Sequence, residues 1–125
     1  MPTLILLSVL AILFAVAGTI LTFVPDGVAA YLGAADVGTA TVVYQLLGAT
    51  YLGFAVLNWL SRRSKVGGIF GRPLVFANFM HLFVGFFAVA RLALQSASIF
   101  LWAVTVLYAI FSACFGYLLV RKVPG

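Results

Sequence analysis

Glutamate is missing from the 125-residue sequence, and acid is confined to Asp26 and Asp36. Neither lies in an apolar run, so proton-coupled drug export through a membrane-embedded Glu has no residue to use. Isomerase chemistry that pairs His with embedded Glu is excluded for the same reason. Cysteine occurs once, at Cys114 within an apolar run. A lone thiol builds neither a disulfide framework nor a metal cluster within one chain, and its expected role is that of a small buried hydrophobe. Histidine also occurs once, and no Asp, Glu or Cys lies in a span three or four residues from His81, so no metal site is expected. Gly-rich phosphate loops, a nucleophile elbow and a Ser-His-Asp set are all lacking. No enzymatic activity and no cofactor are expected.

Charge of either sign is scarce. Only 7% of the residues are charged, against about 25% in an ordinary soluble domain. In its place stand 66% hydrophobic residues and a mean hydropathy of +1.27. Four apolar runs, at about 3–24, 41–60, 74–94 and 99–120, are each long enough to cross a hydrocarbon core of about 30 Å at about 1.5 Å per residue. The expected fold is therefore all-α and integral to the membrane: one domain, 1–125, forming an antiparallel bundle of four transmembrane helices. A signal peptide is the rival reading of the first run, with Ala15-Val16-Ala17 as a cleavage site. The lack of a preceding Lys or Arg and the continuation through Gly18 to Val24 oppose it.

What charge there is occupies two short segments. Ser61 to Pro73, SRRSKVGGIFGRP, carries Arg62, Arg63, Lys65 and Arg72 without an acid, and Arg121-Lys122 follow the fourth run. Short loops rich in Lys and Arg stay on the cytoplasmic side. Both termini are then cytoplasmic, the six basic residues meet anionic headgroups, and Asp26 and Asp36 lie outside. This placement accounts for the net charge of +5 without invoking nucleic acid. Between the first two runs, Pro25-Asp26-Gly27 breaks the helix, and Val28 to Thr39 reads as a short interfacial helix or tight loop. Trp59 fits the interfacial aromatic belt.

Within lipid, helices associate through small residues and interhelical hydrogen bonds. Small residues recur four apart at Ala11, Ala15 and Thr19, at Ala49 and Gly53, and at Ser112 and Gly116, which marks these as expected packing seams. The third run places Asn78, His81, Gly85 and Ala88 on one face with Arg91 near its extension, and that face should look inward. On the second run Tyr44, Gln45, Gly48, Tyr51, Ala55 and Asn58 form another polar and small seam. With the second and third helices as antiparallel neighbours, Gln45 would reach Arg91, and Asn58 would reach Asn78. His81 has two readings. It is structural glue hydrogen-bonded to Asn78, a Tyr or a Ser/Thr, or it contacts a ligand in a pocket bounded by Tyr44, Gln45, His81, Arg91 and Tyr108. Arg91, three residues from its helix end, can snorkel to the outer headgroups or pair with Asp26 or Asp36.

The uncharged first helix, the segment FVPDGVAAYLG, the stretch YQLLGATYLGFAVLNWLSRR and the Asn-x-x-His third helix together resemble small bacterial four-helix membrane proteins of the DoxX-like group. The resemblance spans nearly the whole chain and implies a multi-pass protein of the bacterial cytoplasmic membrane; it brings no activity with it. The expected function is that of a structural or accessory subunit, with a membrane-protein partner or a second copy of the chain as its neighbour. The alternative is a binder or transporter of a lipid- or quinone-like small molecule.

The topology is tested by cysteine accessibility in intact cells. Ser64→Cys is expected to resist an impermeant thiol reagent added outside, and Ala35→Cys to react. External labelling of Ser64→Cys would invert the orientation.

Overall fold

In the computed structural model, residues 2–33, 37–63, 71–95 and 98–120 are described. Among them are five helices and no strands: α1 (Pro2–Phe23), α2 (Pro25–Tyr31), α3 (Val37–Leu60), α4 (Gly71–Gln95) and α5 (Ile99–Val120). Four are long and apolar enough to cross a membrane, over Thr3–Phe23, Gly38–Leu60, Gly71–Gln95 and Ile99–Val120. The chain divides into two units, 1–63 and 64–125.

The first unit packs α1 and α2 on α3. Pro25 opens α2 at its first helical position, where its missing N–H costs nothing, and the preceding Val24 is non-helical at φ −130°, ψ 46°. Pro25 and Ala29 turn inward and are buried. The helix gives way to Gly33 at φ +75°, a left-handed conformation that glycine adopts without strain. Helix α1 approaches α3 where neither helix has a side chain. A Cβ on Gly18 would stand 2.9 Å from the Gly48 carbonyl oxygen, and one on Gly48 would stand 3.0 Å from the Gly18 carbonyl oxygen. Further along, Phe14 meets Tyr51 at 5.1 Å between ring centroids and Phe54 edge-on at 6.0 Å. Contacts thus climb one helix while descending the other, so α1 and α3 run in opposite directions.

The second unit is the helical pair α4 and α5. Gly85 of α4 lies against Tyr108, and Gly116 of α5 lies against Phe79, again an antiparallel register. Leu74, Val75, Asn78 and Leu82 from α4 and Leu101, Thr105, Tyr108, Ser112 and Phe115 from α5 are buried. Arg72, in the first turn of α4, donates from Nη1 to the Leu119 carbonyl at 3.2 Å, and its guanidinium stands 5.6 Å from the Phe76 ring centroid. Leu119 lies in the last turn of α5, whose carbonyls have no partner within the helix and attract a cation.

The distribution of side chains is inverted relative to a soluble protein. Asn58 and Asn78 are fully buried while Leu60, Leu94, Ile99 and Val120 are each more than 70% exposed. Such an apolar exterior requires lipid around it. Threonine hydroxyls are satisfied within their own helices: Thr19, Thr22, Thr50 and Thr105 each donate to the carbonyl four residues back, at 2.7 to 3.0 Å.

Several expectations need correction. Helix α3 begins four residues before its apolar run, and α4 begins three residues before. The α1–α3 seam runs through Gly18 and Gly48, whereas Thr19 and Ala49 are exposed and no atom lies within 4 Å of a Cβ placed on Gly53. Cys114 is exposed, not buried, because its neighbour Phe115 takes the inward direction on α5. On α4 the inward face leaves the expected stripe after Gly85: Ala88 and Arg91 are exposed, and the buried position further on is Ala93.

Gly48→Val is expected to destabilise the fold by about 1 to 3 kcal/mol, because its Cβ would also meet Thr22 Oγ1 at 2.8 Å. Gly53→Ala, placed in open space, should be neutral or stabilising by up to about 1 kcal/mol. Thermal unfolding in detergent micelles distinguishes them. Equal losses at both positions would mean that the helices do not cross at Gly48.

Candidate functional site

The polar interior of the second unit is built from α4 and α5. Asn78 occupies the fourth position after Leu74 and donates from Nδ2 to its carbonyl oxygen at 3.0 Å, which ties the amide into its own helix. One turn further, His81 projects toward α5, and its Nε2 is 3.0 Å from the hydroxyl of Tyr108. One member donates and the other accepts, according to the imidazole tautomer. The rings lie 5.6 Å apart at 55°. Gly85 completes the arrangement: a Cβ there would fall 2.6 Å from Cε2 of Tyr108 and 3.1 Å from Cδ2. The absent side chain is what lets the phenol lie flat along α4 and reach His81. Tyr108 is only 8% exposed.

Of the five residues expected to bound a ligand pocket, the structure therefore brings His81 and Tyr108 together. Tyr44 is half-buried and Gln45 exposed on α3, and Arg91 is exposed near the end of α4. Of the residues expected to meet headgroups, Arg62, Arg63 and Arg72 are described; Lys65, Arg121 and Lys122, like Asp36, lie outside the described residues. Among the described residues no cluster of three or more His, Cys, Asp or Glu could hold a metal ion.

Two structural features lie outside the expected pocket. One is the Arg62–Trp59 cap: the guanidinium lies 3.9 Å from the Trp59 ring centroid, and its Nη1 donates to the Trp59 carbonyl oxygen at the end of α3. The Arg at i+3 from an interfacial Trp was the available signal. The other is a pair of open grooves. One, of about 640 Å³, lies between α1 and α3 and is walled by Ala11, Ile12, Ala15, Leu52, Ala55, Val56, Trp59 and Leu60. The second, of about 310 Å³, lies between α4 and α5 along Phe79, Phe83, Phe86, Ala109, Ser112, Ala113 and Gly116. Neither includes His81 or Tyr108. The second is edged by aromatic rings, with Phe79 stacked on Phe83 at 5.1 Å and Phe83 edge-on to Phe87 at 5.1 Å.

Helices of this length and composition define a multi-pass membrane protein. Compared with protein-family models, curated proteins and solved structures, the chain has no significant match.

The His81–Tyr108 geometry makes two substitutions separable. Tyr108→Phe keeps the ring and removes one hydrogen bond, with an expected cost of about 1 kcal/mol or less. Gly85→Val drives a side chain into the ring and should cost about 1 to 3 kcal/mol. Adding Tyr108→Ala to Gly85→Val should recover part of that loss, a non-additivity that marks direct contact. Strict additivity in unfolding measurements would show that the two residues do not touch.

Proposed function

We propose that this chain is a non-enzymatic protein of the bacterial cytoplasmic membrane, acting as a structural or accessory subunit of a larger membrane assembly. It forms an antiparallel four-helix bundle with both termini cytoplasmic, as the basic segments around Arg62 and Arg121 favour, and belongs near the DoxX-like group that its sequence resembles. One observation carries the reading: the sole histidine is engaged by Tyr108 within its own helical pair, at 3.0 Å, with Gly85 shaped to admit the phenol. A His and a Tyr that satisfy each other serve cohesion, and the chain's chemistry is then directed outward. Its outward surface suits a neighbouring membrane protein or a second copy. Helix α3 alone exposes Val42, Val43, Leu46, Val56, Leu57 and Leu60.

A second reading, the binding of a lipid- or quinone-like molecule, is favoured by groove volumes of about 640 and 310 Å³. Small-molecule sites commonly measure about 300 to 1,000 Å³. It would use the apolar grooves, not the polar group of Tyr44, Gln45, His81, Arg91 and Tyr108.

Ala113→Phe, which fills the groove between α4 and α5 from an exposed wall, separates the readings, with His81→Gln as its control. A structural imidazole tolerates an amide at a cost of about 1 kcal/mol or less, so thermal stability and co-purifying small molecules should match the wild type. Unchanged stability with loss of a stoichiometric small molecule in Ala113→Phe would overturn the subunit reading, because the added ring takes up groove volume. Mild extraction from native membranes should also recover the chain with a stoichiometric protein neighbour.

A further inference from the structure

We propose that the groove between α1 and α3 seats one acyl chain of an anionic phospholipid whose phosphate is held by Arg62 and Arg63. This site goes beyond the subunit reading and does not depend on it.

The groove exists because three of its wall positions carry only a methyl side chain. Ala11 and Ala15 line it from α1 and Ala55 from α3, with Ile12, Val56 and Trp59 along its rim. It presents almost no polar atom, so it offers nothing to a quinone carbonyl or a sterol hydroxyl and suits plain hydrocarbon. Its course along α3 runs from Leu52 to Leu60, about 12 Å at 1.5 Å per residue. That length nearly matches one leaflet's share of a hydrocarbon core about 30 Å thick. The groove therefore extends from mid-bilayer to the interface, as an acyl chain does.

Charge selects the lipid. At the interfacial end, Trp59 is both a wall of the groove and the platform for the Arg62 guanidinium, 3.9 Å above its ring. Stacking and the bond to the Trp59 carbonyl fix the guanidinium beside the groove mouth. A planar guanidinium has five N–H donors, so one bond to a carbonyl leaves the others for phosphate oxygens. Arg63 is exposed at the same end of α3. Hydrocarbon below and two cations above match a phospholipid with net negative charge; a zwitterionic lipid adds a repelled ammonium.

The test uses the full chain carrying Trp102→Phe, which leaves Trp59 as the only tryptophan. The protein is reconstituted in phosphatidylcholine vesicles with a small, equal mole fraction of either phosphatidylglycerol or phosphatidylcholine brominated on the acyl chain. Trp59 fluorescence should be quenched by the brominated phosphatidylglycerol with an about thirtyfold preference, the factor for two basic residues at about 1 kcal/mol each at a membrane surface. Arg62→Gln should reduce the preference to about fivefold, the share that Arg63 supplies. Val56→Phe, at an exposed rim position, should weaken quenching by the anionic lipid by narrowing the groove, and it tests the hydrocarbon half if Arg62→Gln fails to fold. Equal quenching by the two brominated lipids in the parent protein would overturn the proposal. So would a preference undiminished by Arg62→Gln together with quenching undiminished by Val56→Phe.

Discussion

A backbone amide or carbonyl left unpaired in hydrocarbon costs several kcal/mol, and this single constraint governs the chain. It forces each apolar run into a continuous helix and leaves the helix ends as the places where polar groups need outside partners. The ends show the consequence. Arg72 supplies a donor to the Leu119 carbonyl at the end of α5, and Arg62 supplies one to the Trp59 carbonyl at the end of α3. Side-chain hydroxyls obey the same rule. Thr19, Thr22, Thr50 and Thr105 fold back on their own helices, which commits each hydroxyl proton to a carbonyl four residues back.

Once backbone polarity is satisfied, the hydrophobic effect no longer distinguishes a helix from a lipid tail, and association depends on how closely surfaces approach. The two units solve this in different ways. In the first, glycine meets glycine, so that the backbones of α1 and α3 approach with nothing between them. In the second, Gly85 accepts an aromatic ring, and that ring brings its hydroxyl to an imidazole. The first arrangement maximises dispersion contact and carries no chemistry. The second fixes a polar pair at one position along the helices, which sets their register more strictly than apolar packing does.

These physical differences decide what could be read from the residues alone. Four helical spans follow from the lengths of uncharged runs, because hydrocarbon thickness fixes the minimum. Helix ends were misjudged: hydropathy reports where lipid begins, whereas Val37 to Ala40 continue the helix without being strongly apolar. On α3 the expected seam is buried at Gly48, Ala55 and Asn58, whereas the second expected stripe, Ala49 and Gly53, is exposed. Spacing of four identifies a stripe but not its angular phase, and one residue turns a helix by about 100°. Cys114 was misplaced for the same reason. His81 and Tyr108 could both be singled out by their polarity, but their pairing depends on the missing Cβ of Gly85 three-dimensionally opposite the phenol. No pattern within one helix encodes that.

The interior polar groups therefore do not define a reaction site by their presence. Asn78 donates to Leu74, Thr105 donates to Leu101, and His81 and Tyr108 engage each other. Each such bond reduces the chemical capacity left for a substrate, and the chain has no carboxylate in a span to restore it. Among the described residues, one buried side-chain polar atom, the Ser98 hydroxyl, has no partner; the rest of what is unsatisfied is geometric: long apolar faces, and grooves where alanine replaces bulk. Such features gain free energy only when hydrocarbon or another helix fills them. The Arg62 guanidinium, held 3.9 Å from the centroid of the Trp59 ring that walls the larger groove, is the cation on which the proposed selection of an anionic lipid rests.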